Sequence, residues 1–296
     1  MIDLHTHSTA SDGSLAPFSL ISEAARRGVS TIALTDHDSI HGNEEAARAA
    51  LEFGLNFIPG VELEIIWRHV GEFHLLGMGL QKPSASFLTA LKELNRRREA
   101  RNIEIIERMN EAGIAASYDD VISLAHGKEE LPPDGFELSV VREHSIGRPH
   151  FAALLTKMKI VKNREQAFER YLAKGKPFYI PKTGLEFEHA VEIIRESGGL
   201  AVLAHPMSLY VSWGHLPGLI QDLQNKGLDG LEAWHPSAKV SACKRLHALA
   251  KSLGLYITAG SDFHGEVRPD RKLGITAGGR KIDESLTFFP VIANVL

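Results

Sequence analysis

The chain has 296 residues, of which 44% are hydrophobic and 24% charged, and its formal net charge is −4. This composition excludes a disordered chain, and the length suffices for one α/β domain of about 250 residues with an insertion, or for two ordinary domains. The acidic balance argues against a broad basic surface for nonspecific binding of long nucleic acids. Cys243 is the only cysteine, which excludes an intrachain disulfide and a thiolate metal cluster.

Short strand-like runs alternate with amphipathic helical runs over the first 80 or so residues. Strands are predicted for MIDLH, STIALT, NFIPGVELEII and EFHLLGMG, and helices for PFSLISEAARRG and NEEAARAALEFG. Pro17 near the start and Gly28 just past the end of the first helix are the expected helix boundaries. This stretch therefore predicts successive βα units.

Strand signals disappear over about residues 84–183. The segment SASFLTALKELNRRREARNIEIIERMNEAG predicts one long helix closed by Gly113, and DDVISLA, RPHFAALLTKM and REQAFERYLAKG predict shorter helices. The polar segment 126–145 predicts a long loop. We therefore interpret residues 91–183 as a helical insertion.

The alternation resumes after residue 185. Helices are predicted for EHAVEIIRESGG, LPGLIQDLQNKG and AKVSACKRLHALAKSLG, and strands for AVLAH, DGLEAW and LYITAGS. With the first units this makes about seven βα units, the pattern of a parallel α/β barrel. The predicted barrel is discontinuous and comprises residues 1–90 and 184–296.

Histidines and carboxylates recur where the predicted strands end. His5 and His7 are two residues apart on the first strand, so both imidazoles can face one point, as a metal ion requires. In a parallel barrel the carboxyl ends of the strands open on one face, where active sites are built. The other candidates at or just beyond strand ends are Asp12, His37, Glu62, His74, His205, Glu232, His235, Asp262 and His264.

These side chains predict a metal centre. Nine of the candidates, all except Glu232 and His235, are expected to be metal ligands. Nine ligands are too many for one ion and suffice for two or three, and carboxylates such as Glu62 and Asp262 can bridge neighbouring ions. Imidazole and carboxylate suit manganese, iron or zinc. Closely spaced divalent ions of this kind support hydrolysis of phosphate esters.

The motifs DLHTHSTASDG, ALTDHDSIHG, PGVE, the histidine of FHLLG, VLAHP and GSDFHG resemble the ordered motifs of the polymerase and histidinol phosphatase (PHP) family. The resemblance implies a distorted seven-stranded (β/α) TIM-like barrel, commonly with three metal ions. It assigns His5, His7, Glu62 and Asp262 to the first ion, Asp12, His37 and His264 to the second, and Glu62, His74 and His205 to the third.

The segment GRPHFAALL starts a predicted helix with Arg148 just before Pro149. On the residues alone, an anion site at this helix start and an arginine that meets only solvent are equally favoured. GRPHFA, followed by AFERYLAKGKPFYIP, is similar to the insertion of stand-alone PHP members that dephosphorylate 3′,5′-bisphosphorylated nucleotides or trim 5′-phosphorylated RNA. The resemblance implies that the insertion caps the active site and that Arg148 and His150 bind substrate phosphate.

We therefore predict a metal-dependent phosphohydrolase with Asp262, Arg148 and His235 as catalytic residues. His235 is predicted to contact substrate or donate a proton to the leaving oxygen, although a merely packed histidine is equally compatible with the sequence. One alternative is a histidinol phosphate phosphatase, for which the GRPH-bearing insertion is unexpected. A second alternative is a noncatalytic PHP module. A third is a metal-dependent amidohydrolase, but the lysine that many such enzymes use as a carboxylated bridging ligand is not found at the end of the fourth strand.

The expected partner is a small phosphorylated nucleotide, or the 5′ end of a short RNA. No membrane and no obligate protein partner are expected. Because the sequence shows no basic segment followed by an apolar run at its start, and no stretch of about 18 apolar residues, we expect a cytoplasmic location.

Overall fold

The computed structural model describes residues 1–67, 70–125, 146–181 and 183–290. The chain divides into two compact units. The barrel unit comprises Met1–Leu91 and Gly184–Leu296, and the helical unit comprises Lys92–Thr183. The loop predicted for residues 126–145 lies outside the described residues, and the predicted capping role of the insertion stays a prediction.

One sheet organises the barrel unit. Its strands are β1 (Ile2–Asp3), β2 (Thr31–Leu34), β3 (Asn56–Ile66), β4 (His74–Met78), β5 (Leu185–Glu186), β6 (Leu200–Leu203), β7 (Gly230–Trp234) and β8 (Tyr256–Ala259). The order across the sheet is β1-β2-β3-β4-β6-β7-β8, and β5 pairs with the far end of β3.

The two edges of this sheet approach each other. The amide of Leu4 donates a hydrogen bond to the carbonyl of Ala259 (3.1 Å), and the amide of Asp262 donates to the carbonyl of His5 (2.9 Å). The chain segments that follow β1 and β8 therefore nearly close the sheet into a barrel. The predicted α/β barrel of seven main strands is confirmed.

The direction of β4 differs from the prediction. β4 runs antiparallel to both β3 and β6, with Glu64 opposite His74 and Leu75 opposite Leu203. The segment that joins β3 to β4 is too short for the crossover of a dozen or more residues that a parallel pair needs, so the chain folds back as a hairpin. The expectation of an all-parallel barrel was wrong at this strand.

Helices follow most strands of the barrel unit, as predicted. They are α1 (Pro17–Arg26), α2 (Asn43–Phe53), α7 (Phe187–Glu196), α8 (Leu216–Asn225) and α9 (Val240–Leu253), while α3 (Ala85–Glu111) begins in this unit and continues into the helical unit. α1 buries Leu20 and Ile21 in one cluster with Ile32 and Leu34 of β2. This apolar face fixes the helix against the sheet.

Short elements complete the barrel unit. They are the 3₁₀ turns Pro206–Leu209, Gly265–Val267 and Ala277–Gly279, and a hairpin of β9 (Ile275–Thr276) and β10 (Arg280–Lys281). The first two turns directly follow His205 and His264. Candidate residues are therefore held at the beginnings of tight turns.

The helical unit has its own core. Besides most of α3, it contains α4 (Tyr118–Ala125), α5 (Arg148–Lys157), α6 (Arg164–Ala167) and a π-helical turn (Phe168–Leu172). Met109, Phe151, Leu155 and Phe178 are buried together in its apolar cluster. The buried side-chain amide of Asn102 donates a hydrogen bond from Nδ2 to the backbone carbonyl of Ile146 (3.0 Å). Among the described residues, no helix combines the length and apolar character needed to cross a membrane.

Candidate metal centre and active site

The end of β1 delivers two imidazoles to one point inside the barrel. His5 and His7 are fully buried, and their Nε2 atoms lie 3.1 Å apart. Oε2 of Glu62 lies 3.4 Å from Nε2 of His5 and 3.3 Å from Nε2 of His7. Oδ1 of Asp262 lies 3.8 Å and 3.4 Å from the same two atoms. Four donor atoms from three chain segments, namely the one after β1, β3 itself and the one after β8, therefore surround one position.

A second group lies beside His7. Nε2 of His264 is 3.1 Å from Oδ1 of Asp12, and Nε2 of His37 is 4.0 Å from the same oxygen. With His7, these residues offer donor atoms that all lie within 4.8 Å of one another. The group implied by the resemblance is therefore brought together, and His7 lies next to it as well as to the first.

A third group surrounds the other oxygen of Glu62. Nδ1 of His74 lies 2.8 Å and Nε2 of His205 lies 2.9 Å from Oε1 of Glu62, and the two nitrogens are 3.3 Å apart. Nδ1 of His37 lies 3.1 Å from Oε2 of Glu62. The two oxygens of this carboxylate thus face different sets of imidazoles, as a bridging ligand would.

The routes by which His74 and Glu62 reach the site differ from the prediction. His74 is the first residue of β4, not a residue at its carboxyl end. Because β4 is antiparallel to its neighbours, its amino end lies at the edge where the parallel strands end. Glu62 lies within β3, which continues to Ile66. The placement of both at carboxyl strand ends was wrong, although both reach the predicted face.

Two carboxylates, the buried Glu232 and the partly buried Glu64, hold the outer nitrogens of two of these imidazoles. Oε1 of Glu232 lies 3.1 Å from Nδ1 of His5, and its Oε2 accepts a hydrogen bond from the backbone amide of His205 (2.6 Å). Oε2 of Glu64 lies 3.2 Å from Nε2 of His74. A carboxylate only accepts, so each outer nitrogen would carry the proton, and the inner nitrogen would offer its lone pair, when a cation is bound.

His205 and His264 are oriented in the same way by uncharged groups. The hydroxyl of Ser208 donates to the carbonyl of Glu72 (2.8 Å), so it accepts from Nδ1 of His205 (2.8 Å). Nδ1 of His264 lies 2.9 Å from the carbonyl oxygen of Asp262, which can only accept. In both rings Nδ1 is therefore engaged away from the cluster, and Nε2 faces the candidate ligands.

The loop that carries Asp12 is held by a neighbouring strand. Asp36 accepts hydrogen bonds from the backbone amide (2.8 Å) and hydroxyl (2.6 Å) of Ser8 and from the hydroxyl of Ser11 (2.5 Å). Burial raises the pKa of Asp36 above its ordinary value. Its described contacts position the loop of Asp12 relative to His37.

Burial and neighbouring charges shift the pKa values of several residues in the cluster. Burial disfavours a charged His5, but attraction by Glu232 and Glu62 outweighs it and holds the pKa of His5 well above its ordinary value. Burial lowers the pKa of His37 well below its ordinary value. For Asp262, burial is outweighed by the charges of Arg268 and His264, which keep its pKa well below the usual range.

His235 lies at the edge of the cluster with a defined proton. The backbone amide of Ser237 donates to its Nδ1 (3.2 Å), which leaves the proton of the neutral ring on Nε2. Nε2 lies 3.2 Å from Oδ2 of Asp262. Burial lowers the pKa of His235 and favours the neutral ring. Nε2 of His235, the residue predicted from the sequence as a proton donor, therefore faces the candidate ligands.

Comparison with known proteins agrees with this site. A family model described as the PHP domain matches residues 3–174. A 5′-3′ exoribonuclease of Haemophilus influenzae is 35% identical over 262 residues, which cover 88% of this chain and 89% of the relative. The chain belongs to the PHP family. The family assignment made from the motifs is confirmed.

A curated relative and a solved structure, both from Chromobacterium violaceum, resemble this PHP protein. A 3′,5′-nucleoside bisphosphate phosphatase is 34% identical over 276 residues, which cover 93% of this chain and 91% of the relative. A solved structure described as an amidohydrolase with bound sulfate and no metal superposes with a TM-score of 0.80 at 32% identity. The superposition covers 99% of this chain and 93% of the other.

Arg148 and His150 belong to the helical unit of this PHP protein. Arg148 is the first residue of α5, and its guanidinium lies 5.5 Å from the ring centroid of Tyr179 and donates to the carbonyl of Leu172 (3.4 Å). Nδ1 of His150 accepts a hydrogen bond from the backbone amide of Gly147 (3.0 Å), which caps the helix. Their contact with substrate stays a prediction.

Arg268 was not predicted from the sequence. Its Nη1 donates a hydrogen bond to Oδ2 of Asp262 at 2.6 Å. A lone arginine in a loop after the SDFHG motif has no periodic or spacing signal that would single it out. Glu64 and Ser208 also escaped notice, because their roles depend on contacts across strands and loops.

The donor set of this PHP protein fits divalent metal ions. Nε2 of His5 and Nε2 of His7 face each other with two carboxylates nearby, an arrangement of converging lone pairs that a cation would stabilise. Nδ1 of His7 is buried and has no hydrogen-bond partner among the described residues. Imidazole and carboxylate donors suit manganese, iron and zinc.

Proposed function

We propose that this PHP protein hydrolyses the 3′-phosphate of nucleoside 3′,5′-bisphosphates with the help of divalent metal ions, and that it also trims 5′-phosphorylated RNA. At the coarser level, it is a metal-dependent phosphoesterase of the PHP family. The observation that carries the proposal is the convergence of nine imidazole and carboxylate side chains, Glu62 among them, in one cluster.

The proposed ligands form three overlapping sets. The three sets are His5, His7, Glu62 and Asp262; Asp12, His37 and His264; and Glu62, His74 and His205. When bound there, divalent ions would activate water as a nucleophile and neutralise charge on a phosphoryl group. Three ions of manganese, iron or zinc are the proposed complement, and Glu232, Glu64 and Ser208 would fix the ligand tautomers.

The chain's other polar residues would bind the substrate and move a proton. Arg148 and His150 are the proposed contacts for the phosphate that is not cleaved, and a guanidinium at a helix start suits such an anion. His235 is proposed to donate the proton on its Nε2 to the leaving 3′-oxygen. A general acid here must be the imidazolium, because loss of the Nε2 proton from a neutral ring would leave an imidazolate. Burial lowers the pKa of His235, and the negative charge of a bound phosphate would oppose this shift.

One substrate chemistry unites the two activities. A nucleoside 3′,5′-bisphosphate and the first residue of a 5′-phosphorylated RNA both carry a 5′-phosphate and a phosphate ester at the 3′-oxygen. Hydrolysis at the 3′-oxygen yields a nucleoside 5′-monophosphate from either. The relatives named for a bisphosphate phosphatase and for a 5′-3′ exoribonuclease support this extension. A cytoplasmic location stays a prediction.

The test is phosphate release by manganese-loaded protein from adenosine 3′,5′-bisphosphate, AMP and histidinol phosphate in parallel. We expect preference for the bisphosphate, whereas preference for histidinol phosphate would overturn the nucleotide proposal. His37→Ala and Asp262→Ala should each lose bound metal and activity together. His189→Ala, which changes a half-exposed histidine on α7, is the matched control and should retain both.

A further inference from the structure

Arg268 stands between the buried carboxylates and solvent. It follows the 3₁₀ turn Gly265–Val267, and its Nη1 donates to Oδ2 of Asp262 at 2.6 Å. The side chain of Asp262 is 7% exposed and that of Arg268 is 34% exposed. The guanidinium therefore touches a candidate ligand on one side and is accessible to solvent on another.

The guanidinium has unused donors. An arginine carries five N–H groups in a planar fork. Among the described residues, the hydrogen bond to Asp262 is the one that the guanidinium of Arg268 makes. The remaining donors are available to an anion that approaches from the exposed side, and the planar fork matches the spacing of two phosphate oxygens.

The charges around Arg268 also suit the binding of an anion at its guanidinium. Asp12, Asp262 and Glu62 all attract the guanidinium, which places it at the acidic cluster and not at a remote surface. A phosphate ester needs a compensating positive charge to approach three carboxylates. Arg268 supplies such a charge from within the barrel unit, whereas Arg148 belongs to the helical unit.

We propose that Arg268 is a substrate-binding residue that contacts the phosphoryl group undergoing hydrolysis. The inference rests on the proposed function because it assumes a phosphate ester as substrate. Arg268 would keep one hydrogen bond to Asp262 and offer the other donors to the equatorial phosphoryl oxygens. Donors fixed there stabilise the negative charge that these oxygens carry in the transition state.

The alternative role is purely positional, with Arg268 only orienting Asp262. The two roles differ in what the Arg268→Ala variant loses. A positional role predicts a loss of metal affinity, because Asp262 would no longer be held. A substrate-binding role predicts weaker phosphate binding while the manganese content stays near that of the wild type.

The experiment measures manganese content, binding of inorganic phosphate by calorimetry, and KM and kcat for adenosine 3′,5′-bisphosphate. For Arg268→Ala we expect phosphate affinity to fall about 10- to 100-fold, with a matching rise in KM. Arg268→Lys should recover only part of the loss, because an ammonium lacks the fork. Arg26→Ala, which removes an exposed arginine paired with Glu23 on α1, is the matched control.

The outcomes separate this inference from the proposed function. Unchanged phosphate affinity in Arg268→Ala, or joint loss of manganese and phosphate, would overturn the role of Arg268. A wild-type protein that ignores the bisphosphate would refute the proposed substrate. Weaker phosphate binding in the variant would still support Arg268, since inorganic phosphate is measured directly. If Arg268→Ala fails to fold, Arg268→Lys provides the same comparison.

Discussion

Glu232 and His5 are both fully buried, and Oε1 of Glu232 lies 3.1 Å from Nδ1 of His5. Burial disfavours the ionised carboxylate, but the charge of His5 outweighs it and lowers the pKa of Glu232. The second oxygen of Glu232 accepts from the backbone amide of His205. One carboxylate thus orients residues from two of the proposed ligand sets.

This relationship predicts the effect of Glu232→Gln. The amide has the same shape but only one accepting oxygen, so its NH₂ group must face a donor, either Nδ1 of His5 or the amide of His205. We expect manganese affinity to fall about 10- to 100-fold, as is typical when such a partner is lost. Metal titration by calorimetry measures this change.

The control for Glu232→Gln is Glu188→Gln on α7, where the carboxylate pairs with Lys226 at the surface. This variant should bind manganese like the wild type. Equal affinity in both variants would show that Glu232 does not orient the ligands, whereas a loss in both would point to a general effect of the substitution.

Gly260 allows the chain after β8 to approach β1 closely. A Cβ atom at Gly260 would lie 2.2 Å from Cβ of His5 and 2.8 Å from Oε1 of Glu232. Neither neighbour can move freely, because both are buried and hydrogen-bonded. We expect Gly260→Ala to destabilise the protein by about 2 kcal/mol or more and to weaken manganese binding.

Gly218 in α8 is the matched control for Gly260→Ala, because a Cβ atom there meets nothing within 4 Å. Gly218→Ala should raise the free energy of unfolding by about 0.5 to 1 kcal/mol, since alanine favours a helix. Urea unfolding of both variants gives the comparison. A neutral Gly260→Ala would show that His5 and β8 can separate without cost.

The sequence predicted much of the site because its signals are local. The H-x-H spacing places His5 and His7 on one face, and the order of the motifs along the chain identifies the family. The direction of β4 was not readable, because apolar runs do not record strand direction. His74 was therefore predicted at the correct face of the barrel but at the carboxyl end of its strand, whereas it lies at the amino end.

Contacts between distant residues explain the rest of what was missed. Ser208 orients His205 only because its hydroxyl is already used by the carbonyl of Glu72, which lies on another segment. Arg268 reaches Asp262 by the path of a loop that has no periodicity. Such roles depend on three-dimensional proximity that residue types and spacing do not encode.

Arg148→Ala tests the predicted substrate contact in the helical unit. We expect KM for adenosine 3′,5′-bisphosphate to rise about 10- to 100-fold, because a charge-assisted contact to phosphate is lost. Manganese content should stay unchanged, since Arg148 is not a proposed ligand. Steady-state kinetics and metal analysis measure the two quantities.

The control for Arg148→Ala is Arg164→Ala in the same unit, whose guanidinium also lies over an aromatic ring, 5.6 Å from the centroid of Phe168. It should leave KM unchanged. If both variants raise KM equally, the effect comes from the stability of the helical unit and the anion role of Arg148 is wrong.

Asp3 predicts a pH dependence of stability. It is fully buried and accepts hydrogen bonds from the hydroxyl (2.6 Å) and amide (2.9 Å) of Ser261 and from the amide of Gly274 (2.8 Å). Burial raises its pKa to about 6, and these hydrogen bonds only partly oppose the shift. The folded state therefore binds a proton more tightly at Asp3 than the unfolded chain does.

The direction of the effect follows from this difference. The stabilising contribution of protonated Asp3 is complete below the unfolded pKa near 3.8 and is lost as the pH rises through about 6. Between pH 4 and pH 7 the loss amounts to about 2 kcal/mol at 1.36 kcal/mol per pKa unit. Asp3→Asn cannot ionise, so the stability advantage of the wild type over Asp3→Asn should shrink by this amount.

Urea unfolding of metal-free protein across this pH range measures the difference between the two proteins, in which the titration of the other groups cancels. Asp222→Asn, on the exposed side of α8, is the control and should show a constant difference from the wild type. A constant difference for Asp3→Asn as well would mean that Asp3 titrates alike in the folded and unfolded states. Its burial on β1 against the segment after β8 would then cost the ionised carboxylate nothing.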